Sequence, residues 1–405
     1  MILDRRIRPQ KIIPMKKTFL SFLAITLMLS APLRSPAQPA ASEDTTKALL
    51  AQKERAGVVA DRGAKPHYTQ KFDLSGLPHY TPSKKLTGWV RLHGNNYLAD
   101  GSLGDYWLQA FAKFQPGIRF SLYLPTSAVA FAALYYNQAD LVMGHKPSFY
   151  DLLGYERIMN FDPVEITAVT GSYDVAGWEN SVVILVNDDN PIKGVTMKQL
   201  DGIFGSQRDG GWVGTNFRSD LARGPEGNIR TWGQLGLPGE WASQRITPYG
   251  FSLRYNTATD FSDKVMAGSD RWNEDLHAYA HIVRPDGTRY IEADQVTDAL
   301  AKNKFGFAYN RYRGERPGVR RLPVAATDGG PFVEHTIENV QNRTYPLFNE
   351  AYFYTSVKPG TEMNPLVKEF LKFVLSQEGQ AEVQRDGKYL PLTAEVVREQ
   401  LKKLQ

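Results

Sequence analysis

The run Val182 to Pro191, VVILVNDDNP, constrains the fold more than any other stretch of the chain. Its opening apolar residues, mostly β-branched, suit a strand buried on both faces, where side chains of either parity meet other side chains rather than water. Asn187-Asp188-Asp189-Asn190-Pro191 then stops the strand, because proline has no N–H to give a neighbour. Near the C-terminus Ala351 to Val357, AYFYTSV, has a similar character. Strand-like and helix-like segments alternate before and after the first of these runs. The pattern predicts two α/β lobes, with the two strands as paired connections and a ligand held in the cleft between them.

At 405 residues the chain is long for a single core, so a division into two units of ordinary size is expected. The N-terminus reads as a secretory signal: Met15-Lys16-Lys17 is basic, Phe19 to Ala31 is mostly apolar, and Ser35-Pro36-Ala37 offers the small residues that a signal peptidase reads. That apolar run is too short to span a bilayer, and Met15 fits the start of such a signal better than Met1. Residues 1–37 hold seven Lys/Arg and one Asp, so removing them takes the formal charge from +5 to −1. The case for a nucleic-acid partner goes with them. The chain has no cysteine, which excludes thiol catalysis, thiolate metal sites and a lipid-modified cysteine anchor. Release into a Gram-negative periplasm is the expectation.

Ala40 to Lys84 is polar, lacks a sustained period and reads as a linker. Thr87 to Leu92 alternates like a strand, and Gly94-Asn95-Asn96 breaks it. Tyr106, Trp107, Ala110, Phe111 and Phe114 recur at helical spacing, and Pro116-Gly117 ends that helix. A strand over Ile118 to Leu124 follows, then a helix that Thr126 or Ser127 can cap, then a short buried strand over Ala139 to Gly144 ending at His145-Lys146. This order points to parallel pairing, and ligands of open α/β sheets sit beyond the carboxyl ends of the strands. Three successive strand ends carry Gly94-Asn95-Asn96, Thr126-Ser127 and His145-Lys146. Thr196 with Gln199 forms a capping box for a helix over Met197 to Phe204. Gly205 to Asn228 looks like a surface excursion, Arg254-Tyr255-Asn256-Thr257 precedes a helix, and Pro365 to Leu375 is an amphipathic helix. The arginine-rich stretches Trp212 to Arg223 and Arg311 to Arg321 read as solvated loops.

The segments Val182 to Phe204, Phe305 to Tyr309, Tyr345-Pro346-Leu347 and Val367 to Leu392 (VKEFLKFVLSQEGQAEVQRDGKYLPL) together resemble the extracytoplasmic phosphate-binding proteins of ABC transporters. The likeness runs over roughly residues 86–405 and the segments keep their order. It implies two lobes closing over an oxyanion held by three loops of the first lobe and a serine-glycine-threonine turn of the second. Thr126-Ser127 agrees with the family's serine-rich second loop. His145 aligns with the family's phosphate-binding aspartate, and Tyr255-Asn256-Thr257 with the serine-glycine-threonine turn, of which Thr257 alone is retained. Arg254 stands near the family's arginine, and Gly94-Asn95-Asn96 lacks the usual threonine.

The residues expected to bind the ligand are therefore Asn95, Asn96, Thr126, Ser127, His145, Lys146, Arg254, Asn256 and Thr257. Each also has a plain structural reading, as a turn residue, a helix cap or a solvated charge. His277 and His281 have the spacing of one helix face, yet no third metal ligand accompanies them. No G-x-S-x-G, H-E-x-x-H or acid-rich metal loop marks a catalytic centre, so neither enzyme activity nor a cofactor is expected. The expected fold class is α/β, two-lobed and periplasmic-binding-protein-like (type 2), each lobe a mixed, mostly parallel sheet flanked by helices. Residues 1–37 are the signal, 38–85 the linker, 86–180 plus 325–405 lobe 1, and 181–324 lobe 2. The expected function is capture of phosphate or a related small oxyanion for an ABC-type permease, by a monomer. The alternative is a non-transport phosphate-type domain acting as a sensor or envelope scaffold.

Overall fold

Ten strands build two five-stranded sheets. In chain order they are β1 (Gly88–Gly94), β2 (Ile118–Tyr123), β3 (Leu141–Gly144), β4 (Val164–Thr170), β5 (Val183–Asn187), β6 (Thr247–Phe251), β7 (His277–Tyr279), β8 (Gly306–Asn310), β9 (Val319–Arg321) and β10 (Glu350–Thr355). The first sheet runs β2-β1-β3-β10-β4 and the second β7-β6-β8-β5-β9. The computed structural model describes residues 67–175, 179–311 and 316–405, so the expected signal and most of the linker lie outside the described residues.

Strand β5 is buried along its whole length and pairs antiparallel with both β8 and β9. Its stop is built from asparagine side chains. Asn187 Oδ1 accepts from Asp189 N at 3.1 Å, its Nδ2 donates to the last carbonyls of the helix Glu292–Ala301, and Asn190 Oδ1 accepts from Ile192 N at 3.0 Å. In the first sheet β1 lies parallel to β2 and β3, while β10 is antiparallel to β3 and β4. Each sheet has its own apolar core, one holding β5 with Phe204, Phe261 and Tyr309, the other Trp107, Phe111, Phe353 and Phe370.

The strands β5 and β10 do not themselves connect the sheets, as their sequence suggested. Each belongs to one sheet, and the connections are the segments just before them. Gly171 N donates to Asn349 O at 2.8 Å, Val182 N to Leu347 O at 2.9 Å, and Asn349 Nδ2 to Asn180 O at 2.7 Å, so the two crossings run side by side. Only glycine fits at 171, because a Cβ there would stand 2.0 Å from the Glu179 carbonyl oxygen.

Residues 67–85 correct the expectation of a linker. Leu74, Leu77 and Tyr80 are buried in the core of the first sheet, Tyr68 N donates to Gly387 O at 2.6 Å, and Tyr80 Oη donates to Glu369 Oε2 at 2.8 Å. The arginine-rich stretches are solvated only in part: most of Trp212 to Arg223 is exposed, Arg218 included, but other arginines in and beside the two stretches are held inside. Arg208 and Arg223 flank Asp201 at 2.6 and 3.2 Å with side chains 9% and 12% exposed, and Arg321 lies over the Tyr173 ring beside His335. Arg223 thus sits against a buried acid and Arg321 against a ring, whereas Arg218 pairs with Asp220 at the surface.

Within the excursion Gly205 to Asn228, the hairpin of Gly211–Val213 and Asn216–Arg218 reaches the helix Phe149–Met159, which lies between β3 and β4. Trp212 meets Phe149 with ring centroids 4.7 Å apart, and the Thr215 hydroxyl donates to the Glu156 carboxylate. The contact ties an element of the second sheet's half to one of the first.

Candidate functional site

Two adjoining chambers open between the sheets, of about 180 and 240 Å³. The smaller is lined by Arg254, Asn256, Thr257 and Arg311 on one side, with Tyr97 and Asn180 among its other walls. The larger is lined by His145, Lys146 and Tyr352 opposite Asp263 and Lys264, with Glu350 beside them. Glu179, Asp260 and Asn349 face both.

The first side is the helix Asn256–Val265, whose turns bring residues four and seven apart onto one face. Phe261 and Val265 go into the core, and Asn256, Asp260, Asp263 and Lys264 face the chambers. The helix begins at Asn256, so Thr257 lies inside its first turn rather than ahead of it as a cap. The unpaired N–H groups of such a first turn favour an anion. Arg254 stands exposed at the mouth, and Arg311 pairs with Glu292 behind the wall.

From the first sheet's half His145 meets the helix, with Ser127 bonded behind it. His145 follows β3, and its Nδ1 lies 3.0 Å from Ser127 Oγ and 3.1 Å from Asn256 Nδ2. An amide nitrogen can only donate, so His145 Nδ1 accepts and the ring proton sits on Nε2. Burial pushes the imidazole pKa down, against the pull of Asp151, which keeps the ring neutral. Ser127, His145 and Asn256 thus form one chain of hydrogen bonds across the cleft. Lys146 reaches Glu165 at 2.7 Å and lies over the Tyr352 ring.

Three expected residues sit elsewhere. Asn95 is 1% exposed and serves the turn: Gly94 allows a close pass by Met143, Asn95 N donates to Met143 O at 2.8 Å, and its Oδ1 accepts from Tyr97 N. Its neighbour Asn96 accepts from Ala99 N through its carbonyl, and it is Tyr97 from this loop that lines the smaller chamber. Thr126 caps the helical turn Ser127–Val129 through Ala128 N at 3.3 Å. The sequence reading missed Asp260, Asp263, Lys264, Glu179, Asn349, Glu350 and Tyr352. A polar stripe at helical spacing could have revealed the first three, whereas the others come from the crossings and β10.

Burial pushes the Asp260 carboxyl up to about 7, with Lys264 opposing and Asp263 adding to the rise. The same burial pushes Lys264 down, resisted by Asp260 and Glu350. His277 lies in β7 and His281 after it, bonded to Tyr255 Oη at 2.8 Å, so they do not share a helix face. Among the described residues no group of His, Asp or Glu is arranged to hold a metal, and no helix is long and apolar enough to cross a membrane.

Residues 99–378 match the family model PBP_like_2, described as a PBP superfamily domain. The chain belongs to the PBP superfamily. Its two mixed sheets bear out the two-lobed, α/β periplasmic-binding-protein-like fold. Within the PBP superfamily it is 29% identical to the phosphate-binding protein PstS of Pseudomonas aeruginosa, over 81% of this chain and 90% of that one. It is 25% identical to the phosphate-binding protein PstS of Staphylococcus epidermidis, over 50% of this chain and 52% of the relative. The crystal structure of PstS from Borrelia burgdorferi aligns with a TM-score of 0.47 and 13% identity, covering 76% of this chain and all of that one. The relatives are named as binding proteins, in agreement with the expectation of a non-catalytic chain.

Proposed function

We propose that this chain is a periplasmic solute-binding protein that captures phosphate or a related small oxyanion in the cleft and presents it to an ABC-type permease. Lobe 1 comprises residues 86–180 and 325–405, joined by the packed strap 67–85, and lobe 2 residues 181–324. It acts as a monomer after loss of its signal. The observation that carries this reading is the smaller chamber, where Arg254, Arg311 and the first turn of the helix Asn256–Val265 gather donors in a space of about 180 Å³. The names of the relatives support phosphate as the anion.

Selectivity follows from Asp260. In its ionised form the Asp260 carboxylate accepts the proton of hydrogen phosphate, whereas sulfate offers acceptors alone. Burying an acceptor against an acceptor is costly, so the site favours phosphate over sulfate. His145, neutral and already engaged by Ser127 and Asn256, positions the cleft wall.

Calorimetric titration of the mature protein with phosphate, sulfate, molybdate and a few organic anions tests the reading. Saturable binding of phosphate with weaker sulfate binding is expected. No heat with any of them would favour the sensor or scaffold role instead.

A further inference from the structure

We propose that the cleft is built for a phosphoryl or phosphonyl group bearing a short substituent that ends in an ammonium, the oxyanion beside Arg254 and Thr257 and the ammonium beside Asp260 and Asp263. This rests on the oxyanion reading above and names the class of ligand that fills the rest of the site.

Size is the first argument. A tetrahedral oxyanion occupies on the order of 100 Å³, about three times the share of a water molecule. The smaller chamber holds it, and the adjoining space of about 240 Å³ is then left for a further group reached past Asp260 and Asn349.

Charge is the second. The larger chamber presents carboxylates from Glu179, Asp260 and Asp263, and a fourth from Glu350 that is already paired with Arg343 at 2.8 Å. Of its two lysines, Lys146 is already paired with Glu165. Lys264 lies over the Phe348 ring at 4.9 Å, with the neighbouring acids drawing on its one charge. A second anion would meet this wall of carboxylates at a cost, whereas a cation would relieve it.

Asp260 is the third. It is 8% exposed and looks into both chambers, yet the hydrogen bond it receives from Asn349 Nδ2 is 3.5 Å long, the outer limit of such a bond. Burial also pushes the Asp260 and Asp263 carboxyls up, although Lys264 opposes the rise at both and Lys146 at Asp263, so a further cation beside them would be favoured. An ammonium in the larger chamber supplies Asp260 with a closer partner than Asn349 does.

Calorimetry of the mature chain at pH 7.5 with inorganic phosphate, O-phosphorylethanolamine and propyl phosphate separates the possibilities. Phosphorylethanolamine is expected to bind at least tenfold tighter than propyl phosphate, which matches its length and lacks the charge, and tighter than inorganic phosphate. Asp263→Asn is expected to shrink the preference over propyl phosphate at least threefold. Tight binding of inorganic phosphate with no gain from the ammonium overturns this proposal and leaves the oxyanion reading standing. Failure of all three ligands to bind overturns both.

Discussion

Asn256 and His145 come from opposite halves of the molecule and meet at 3.1 Å, amide nitrogen to imidazole nitrogen. A single neutral hydrogen bond contributes ~0.5–1.5 kcal/mol, so it acts as a weak closing contact. Asn256→Ala is expected to weaken phosphate binding about three- to tenfold, part of it through this contact. The nitrogen shifts of His145 are expected to report an Nε2–H tautomer with a pKa below 6.5. A ring that is cationic at pH 6.5 would contradict the account.

The buried carboxyl of Asp260 makes stability depend on pH in a stated direction. Its folded pKa, about 7, is raised above the ordinary 3.8, so between those values the folded chain binds more protons than the unfolded one. Stability then falls as pH rises through this window, and the loss is complete above the folded pKa. Asp260→Asn is expected to flatten this slope and raise Tm at pH 8, by about 2–4 °C if the relief is ~1 kcal/mol. An equal slope in thermal melts of both proteins between pH 4.5 and 8 would count against it.

His335 works in the opposite sense. It is buried between the crossings, with Nε2 2.7 Å from Ser181 Oγ and Arg321 beside Nδ1, and burial with the nearby guanidinium drives its pKa well below 6.5. The unfolded chain binds this proton more readily, so stability is lost as pH falls below about 6.5. His335→Gln is expected to lessen the acid-side loss in urea titrations at pH 5, even if it lowers stability at pH 7.5.

The contact of Trp212 with Phe149 spans the two halves away from the crossings. An aromatic pair contributes ~0.5–1.5 kcal/mol beyond burial. Trp212→Ala is expected to speed ligand release about three- to tenfold in stopped-flow chase experiments. An unchanged release rate would mean that the hairpin does not hold the cleft shut.

The strap 67–85 is predicted to be part of the folding unit. Tyr80 packs against Phe111, Phe114 and Phe373 and donates to Glu369. Tyr80→Ala is expected to cost about 3–5 kcal/mol and Tyr80→Phe about 1 kcal/mol in denaturant unfolding. A chain starting at Leu86 with an unchanged denaturation midpoint would refute this.

What the sequence revealed was local. Strand β5 with its asparagine-rich stop and the capping box of Thr196 and Gln199, with reciprocal bonds of 3.1 and 2.9 Å, follow from neighbours in the chain. His145, Asn256 and Thr257, which line the chambers, follow from the rule that strand and helix ends line a crevice, joined to the family likeness, whereas Ser127 reaches the cleft only through His145. Asn95 lines neither chamber, because its side-chain oxygen is taken by the turn that presents Tyr97 two residues on. The strap has leucines and a tyrosine three apart but forms neither helix nor strand, so its burial depends on partners nearly 300 residues away. Asp260, Asp263 and Lys264 read as an ordinary polar helix face until the other half is set opposite them. The arginines of the loops gave no sign of burial, since their partners Asp201 and His335 are not in a pattern with them.

The central claim is that one oxyanion is held by groups from both halves. It is tested most directly by phosphate calorimetry on the wild-type chain, on Ser127→Ala, and on Thr257→Val with Arg254→Ala. The account predicts one phosphate per chain, at least tenfold weaker binding in the second-half double variant, and a smaller loss in the first-half variant through His145. Binding of undiminished strength in both would contradict it.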